Sequence, residues 1–148
     1  MPLVIRKAIL SDEQQVLELF SKLPSRHRND EYKVDQTISA SVYRQILENP
    51  VLGVIIVAEL DSKLLGVITL SYPVAIRSGG YYARIEEYIV DEDSRGMGIG
   101  GKLLDEAIKE AHTMNCFDLQ VNNPSDLGKP LYTKRGFHDG GEYWRMKL

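Results

Sequence analysis

The stretch that most constrains this chain is Arg95-Gly96-Met97-Gly98-Ile99-Gly100-Gly101-Lys102, which sets four glycines between an apolar segment and an amphipathic one. Upstream, Tyr81 to Val90 reads as a strand. Downstream, Ile99, Leu103, Ala107, Ile108 and Ala111 recur at helical spacing. Backbone without Cβ atoms turns tightly and lets a ligand come close. The N–H groups that open a helix have no intrahelical partner, and the macrodipole there favours negative charge. The expected guest is a phosphate or diphosphate. A bare glycine turn is the plain alternative, but four glycines cost folding entropy and bring no evident structural return.

The rest of the chain reads as the scaffold for that junction. Leu3 to Ile9 alternates as a first strand. Ser11 stands three residues before Gln14, a capping-box spacing, and Val16, Leu17, Leu19, Phe20 and Leu23 follow as a helix that Pro24 stops. Residues 25–31 read as a polar loop with a small basic cluster, Arg26, His27 and Arg28. A second helix is expected from about Asp35 to Leu47. Val51–Leu60 and Lys63–Val74 read as strands of a tight antiparallel hairpin turning at Asp61-Ser62. After the glycine junction and its helix come a strand at Phe117–Val121, a loop at Asn122-Asn123-Pro124-Ser125, a short helix around Leu131 and Tyr132 ending at Gly136, and a closing strand from Glu142 to Leu148. The order is strand, two helices, three strands, helix, strand, helix, strand. This implies one mixed α/β domain over residues 1–148, an α+β arrangement on a mixed sheet.

Composition narrows the function. At 148 residues with 43% hydrophobic and 26% charged residues, the chain is that of an ordinary globular domain. A formal net charge of -3 argues against a duplex DNA or other nucleic-acid partner, which demands a basic face. The lone Cys116 allows no intrachain disulfide and reads as a small buried strand residue. Arg6 and Lys7 break the N-terminal apolar stretch, so no signal peptide is expected, and no apolar run approaches a bilayer span. The expectation is a cytoplasmic protein with no membrane partner. His27, His112 and His138 are scattered without zinc spacing, so no metal is expected.

Three phosphate-binding patterns compete for the junction. Gly96, Gly98 and Gly101 satisfy G-x-G-x-x-G, but a dinucleotide fold would carry it after its first strand with several βαβ units downstream, and too little chain remains. Gly96 to Lys102 matches most of G-x-x-x-x-G-K-[ST], but Leu103 stands where the magnesium-binding hydroxyl belongs. The third pattern, [RQ]-x-x-G-x-[GA], is met by Arg95, Gly98 and Gly100. Here the chain resembles the GNAT superfamily of N-acetyltransferases. The preceding segment, Ile85-Glu86-Glu87-Tyr88-Ile89-Val90-Asp91-Glu92-Asp93, is similar to that family's fourth strand. Leu131-Tyr132-Thr133-Lys134-Arg135-Gly136-Phe137 is similar to its late L-Y-x-K-x-G-F segment.

The resemblance implies a GNAT-like acyl-CoA N-acyltransferase fold and acetyl-CoA as co-substrate, with no metal. It implies that the fourth and fifth strands splay and that the pantetheine arm pairs with backbone of Tyr88, Ile89 and Val90 like an added strand. The Tyr88 N–H would hold the developing oxyanion. The backbone of Gly96, Met97, Gly98, Ile99, Gly100 and Gly101 would cradle the diphosphate, with Arg95 flanking it. Ser125 stands where many members carry an Asn that bonds the coenzyme. A base must take the proton of the ammonium acceptor. Glu86 is the first candidate by position and Glu87 the second, since a bulge would swap which side chain faces the cleft. Gln120 occupies the position where some members place a base on the next strand. Tyr132 is the expected acid for the leaving thiolate. The implied reaction is acetyl transfer to the primary amine of a small cationic acceptor by direct attack. The competing readings are a non-catalytic acyl-CoA sensor, a protein N-terminal or lysine acetyltransferase, and a different phosphate-ligand protein. Homodimers are common in the family.

Overall fold

The computed structural model of the chain describes residues 2–23 and 34–148. Pro24, the loop at 25–31 and its Arg26-His27-Arg28 cluster lie outside the described residues. The elements are β1 (Val4–Lys7), α1 (Glu13–Phe20), α2 (Gln36–Glu48), β2 (Gly53–Leu60), β3 (Lys63–Ser71), β4 (Val74–Ala75), β5 (Gly80–Tyr81), β6 (Ala83–Val90), α3 (Ile99–Thr113), β7 (Leu119–Val121) and α4 (Lys129–Lys134). Among the described residues no helix is long and apolar enough to cross a membrane.

Five strands form one sheet in the order β1-β2-β3-β6-β7, while β4 and β5 pair separately. All neighbours in the large sheet are antiparallel except β6 and β7, which are parallel. Helices cover both faces, which explains the near-continuous apolar runs of β2 and β3. Val54, Ile56 and Ala58 turn toward the face shared with Ile99, Leu103, Leu104 and Ala107 of α3. Ile55 and Val57 turn the other way, toward Val16 and Leu19 of α1 and Tyr43 of α2. The β2–β3 turn is made by Asp61 (φ 50°) and Ser62 (φ 65°), two left-handed residues in succession. That matches the twist of an antiparallel pair.

Helix starts follow local chemistry. The side chain of Asp35 accepts from the Thr37 N–H at 2.7 Å and caps α2. Ahead of α1 the expected Ser11–Gln14 box is replaced by a short 3₁₀ turn, Leu10–Asp12. There Asp12 accepts from the Ile9 N–H at 2.8 Å and forms a two-pronged pair with Arg6 at 2.8 and 3.0 Å. A carboxylate offers two oxygens where Ser11 has one hydroxyl, so it serves the turn and the strand together.

Several sequence expectations are corrected. The strand expected from Tyr81 is interrupted at Tyr82: Tyr81 pairs with Val74 in the small hairpin, and the main strand begins at Ala83. The strand expected at 117–121 shrinks to Leu119–Val121, so Cys116 sits half-buried in the turn before it rather than in a strand. The closing strand over 142–148 does not form; those residues are exposed and in no sheet. The alternation is present, but a strand needs a neighbour, and β7 at the sheet margin is three residues long. Glu142 instead accepts locally from the Trp144 indole at 2.7 Å.

Candidate active site

The site begins where the sheet stops pairing. β6 and β7 match Ala83 with Leu119, Arg84 with Gln120 and Ile85 with Val121, and there the ladder ends. β6 runs on to Val90, paired only with β3. Asn123, with φ 51°, turns the chain just after β7. Half of β6 is therefore left with an open backbone edge in the interior of the sheet. The Asp91 N–H donates to the Leu65 carbonyl at 2.7 Å, and this sets the alternation along β6. Glu87 and Ile89 direct their N–H and C=O toward β3, whereas Tyr88 and Val90 direct theirs into the gap. Of the three expected backbone contacts, Tyr88 and Val90 thus face the gap and Ile89 faces β3.

At the far end of the gap α3 begins. Gly98 stands before its first residue at φ 76°, and Gly96 at φ 85°. Both are left-handed positions that side-chain-bearing residues rarely adopt. A Cβ at either would meet nothing within 4 Å, so this backbone is bare toward solvent. No side chain caps the helix and its first turn holds no acid; the amides of Ile99, Gly100 and Gly101 are its orphan donors. Inward, the same turn is packed tightly: a Cβ on Gly100 would lie 3.2 Å from Tyr88 Oη, 3.4 Å from Leu131 Cδ1 and 3.6 Å from Val90 Cγ2. The Tyr88 hydroxyl donates to the Gly100 carbonyl, tying the gap to the helix start. Arg95, Met97 and Lys102 are exposed around the turn.

The two carboxylates owe their placement to a bulge. The β3–β6 register shifts between Thr69 and Leu70, so that Thr69 pairs with Glu87 and Leu70 with Ile85, leaving Glu86 as the extra residue. The hydroxyl of Thr69 donates to Glu87 Oε2 at 2.5 Å and accepts from the Glu87 N–H at 3.1 Å. The hydroxyl of Ser71 donates to Glu86 Oε2 at 2.6 Å. Thr69 and Ser71 are two apart on β3 and share a face. Adjacent glutamates that a regular strand would send to opposite faces are therefore both gathered on the α1–α2 side. There a cavity of about 740 Å³ lies between α1, α2 and the sheet, with Thr69 and Glu87 among its lining and Leu17, Phe20 and Val42 on its walls.

Across the gap, on the α3 side, stands Tyr132. It is buried, with ring centroids 6.1 Å from Tyr88 and 5.1 Å from Phe137. Burial pushes its hydroxyl up to about 12, so it holds its proton throughout the neutral range. The Tyr88 hydroxyl is pushed up further by the same cause. α4 is anchored by Arg135, which donates to Asp105 at 2.6 Å, to the Leu131 carbonyl at 3.2 Å and to the Gly101 carbonyl at 3.3 Å. Ser125 accepts from the Gly128 N–H at 3.1 Å and shapes the turn into α4. Gln120 lies on β7 opposite Arg84, its amide donating to Asp118 at 3.1 Å.

Residues 14–137 match the acetyltransferase (GNAT) family. The chain belongs to that family. Among solved structures it resembles glucosamine-6-phosphate N-acetyltransferase from Arabidopsis thaliana, with a TM-score of 0.82 and 20% identity over 100% of this chain and 99% of that one. It also resembles an acetyltransferase from Trypanosoma brucei, with a TM-score of 0.78 and 22% identity over 99% and 100% of the two chains. A predicted acetyltransferase from Clostridium acetobutylicum, solved with acetyl-CoA, gives 0.78 and 24% over 99% and 97%. At these identities the likeness concerns the fold. No curated protein matches the sequence closely enough to count as a relative.

GNAT proteins use acetyl-CoA, and this chain's residues fit it. The fit rests on the open edge at Tyr88 and Val90, the uncapped turn at α3, and the bare side of Gly96 and Gly98. Three residues that shape the candidate site escaped the sequence reading. Thr69 and Ser71 belong to an apolar strand and carry no motif; only the β3–β6 register could have paired them with the glutamates. Arg135 lies within the L-Y-x-K-x-G-F segment at a position that motif leaves open, and its partners on α3 are distant in sequence.

Proposed function

We propose that the protein, with residues 1–148 as one N-acetyltransferase domain, transfers the acetyl group of acetyl-CoA to the primary amine of a small cationic acceptor by direct attack. The observation that carries this reading is the interior edge of β6, with carboxylates on one face of the sheet beside it and a protonated tyrosine on the other. Bound there, acetyl-CoA supplies an activated thioester carbonyl. The amides from Gly96 to Gly101 hold its diphosphate, with Arg95 flanking, and the backbone of Tyr88 and Val90 aligns its arm. Ser125, at the mouth of α4, supplies a hydroxyl to the coenzyme.

An alkylamine is a cation at neutral pH, with a pKa of about 10. It must lose a proton before its lone pair can attack. Glu87, which lines the cavity, or Glu86 beside it takes that proton directly or through water. As the C–N bond forms, charge grows on the carbonyl oxygen, and the Tyr88 N–H donates to it; a donor of this kind contributes roughly 3 kcal/mol in enzymes. The C–S bond then breaks, and the Tyr132 hydroxyl donates to the departing sulfur.

The test is thiol release from acetyl-CoA across a library of primary amines, with calorimetry of coenzyme A, ATP and NAD beside it. Tight binding of coenzyme A alone and amine-dependent thiol release are the expected results. Binding without release for any amine would leave a sensor; tight binding of ATP or NAD would refute the acetyl-CoA site.

A further inference from the structure

The cavity on the carboxylate side carries a more specific statement about the acceptor, one that rests on the acetyltransferase reading above. Ile38, Val42 and Ile46 recur every fourth residue along α2 and all line it, one stripe of the helix. Ile46 also packs on the core formed with Val16 and Leu19, but Ile38 and Val42 remain 57% and 45% exposed. Leu17 and Phe20 of α1 face the same space. A helix normally turns its apolar stripe into the core. Here part of that stripe is turned toward an opening, alongside the catalytic carboxylates. Among the described lining residues Glu87 is the only carboxylate and Arg145 the only cation. A polyamine or an aminoglycoside would lay charges or hydroxyls against Leu17, Phe20, Ile38 and Val42, where they would lose hydration without a partner.

We infer that the acceptor is an amine carried on an aliphatic or aromatic body: its ammonium is held at Glu87, and its body lies along Ile38, Val42 and the α1 side chains Leu17 and Phe20. The apolar walls with a carboxylate at one end match the make-up of small-molecule pockets, in which polar groups orient a largely apolar body; Ser21, Gln36 and Ser39 add polar groups along the helices. Arg145 lines the cavity as well, so an acceptor bearing a carboxylate meets a cation there; the inferred chemistry, an amine on an apolar body, is common to both kinds.

The experiment compares kcat/KM for phenethylamine and isoamylamine, for phenylalanine and leucine, and for spermidine and glucosamine, with coenzyme A affinity measured in parallel. The expected result is that the best apolar amine, with or without its carboxylate, exceeds both polar amines by roughly tenfold or more, the scale on which apolar pockets discriminate. The variants Ile38→Gln and Val42→Gln, at exposed positions that tolerate polar side chains, should each raise KM for that amine by roughly tenfold and leave the melting temperature and coenzyme A affinity unchanged. Preference for spermidine or glucosamine, or an unchanged KM in both variants, overturns the inference while the acetyltransferase reading stands. If coenzyme A does not bind and no amine is acetylated, both fall together.

Discussion

Gly98 and Gly79 offer a matched pair of substitutions that isolates the diphosphate site from backbone strain. Gly98 precedes α3 with φ 76°, and Gly79 lies in the β4–β5 turn with φ 70°. A Cβ at either position meets nothing within 4 Å. Changing either to Ala therefore introduces the same left-handed penalty without a clash, roughly 1–2 kcal/mol. Both variants should lose that much stability, a fall of several degrees in melting temperature for a chain of this size. Coenzyme binding should separate them. In Gly98→Ala the new methyl group projects onto the surface proposed for the diphosphate, and relief of the strain would rotate the amides away from it. Loss of one hydrogen bond to a charged group is worth roughly 1.5–3 kcal/mol, or about ten- to a hundredfold in Kd. Gly79→Ala should bind coenzyme A as the parent does. Calorimetric titration with coenzyme A and thermal melts of both variants give the two readouts. Equal losses of affinity, or none in Gly98→Ala despite its lowered melting temperature, would refute the diphosphate site at this turn.

Further predictions concern the residues around it. Thr69→Val keeps the shape of a side chain that both donates to and accepts from Glu87; turnover should fall at least tenfold, with coenzyme A affinity unchanged in calorimetry. Glu86→Gln and Glu87→Gln should each slow turnover most at lower pH, where more acceptor is protonated, and a pH–rate series with a defined amine decides which carboxylate dominates. Tyr132→Phe should lower kcat with little change in coenzyme affinity or melting temperature, because the phenyl ring keeps the packing against Tyr88 and Phe137. Asp12, held below the usual carboxylate range by the Arg6 guanidinium, contributes stability that is fully present above the ordinary value of 3.8 and is lost as pH falls through its own depressed value. Asp12→Asn should thus cost roughly 1.5–3 kcal/mol at neutral pH, and its deficit in denaturant unfolding should shrink below pH 3.8; a deficit constant with pH would dismiss the ion pair as its origin.

Local patterns made most of the scaffold readable. β2 and β3 are apolar because helices cover both faces of the sheet, and the left-handed pair at Asp61-Ser62 joins them as the spacing predicted. The glycines before α3 and the segment around Tyr132 were legible as a bare turn and a short helix because short-range backbone requirements leave traces in residue type. The features that shape the reactive end depend instead on register between distant segments. The end of β6–β7 pairing at Ile85, the bulge that turns Glu86 and Glu87 to one face, and the hydroxyls of Thr69 and Ser71 that hold them follow from how strands align across the sheet. The failed strand at 142–148 has the same origin, since alternation records what a segment could do and pairing requires an edge to receive it.

The interrupted ladder between β6 and β7 has a consequence for how such a chain can vary. A recess hollowed out of packed side chains changes shape with each substitution around it. A recess made by two strands drifting apart is walled by peptide groups, which every residue type supplies alike. Recognition of a slender, amide-bearing ligand can then persist while nearly all surrounding side chains are exchanged. That is in keeping with a fold held in common at about one-fifth identity with the Arabidopsis thaliana enzyme. Mutation is left free to remodel the helical side, where the proposed acceptor would lie.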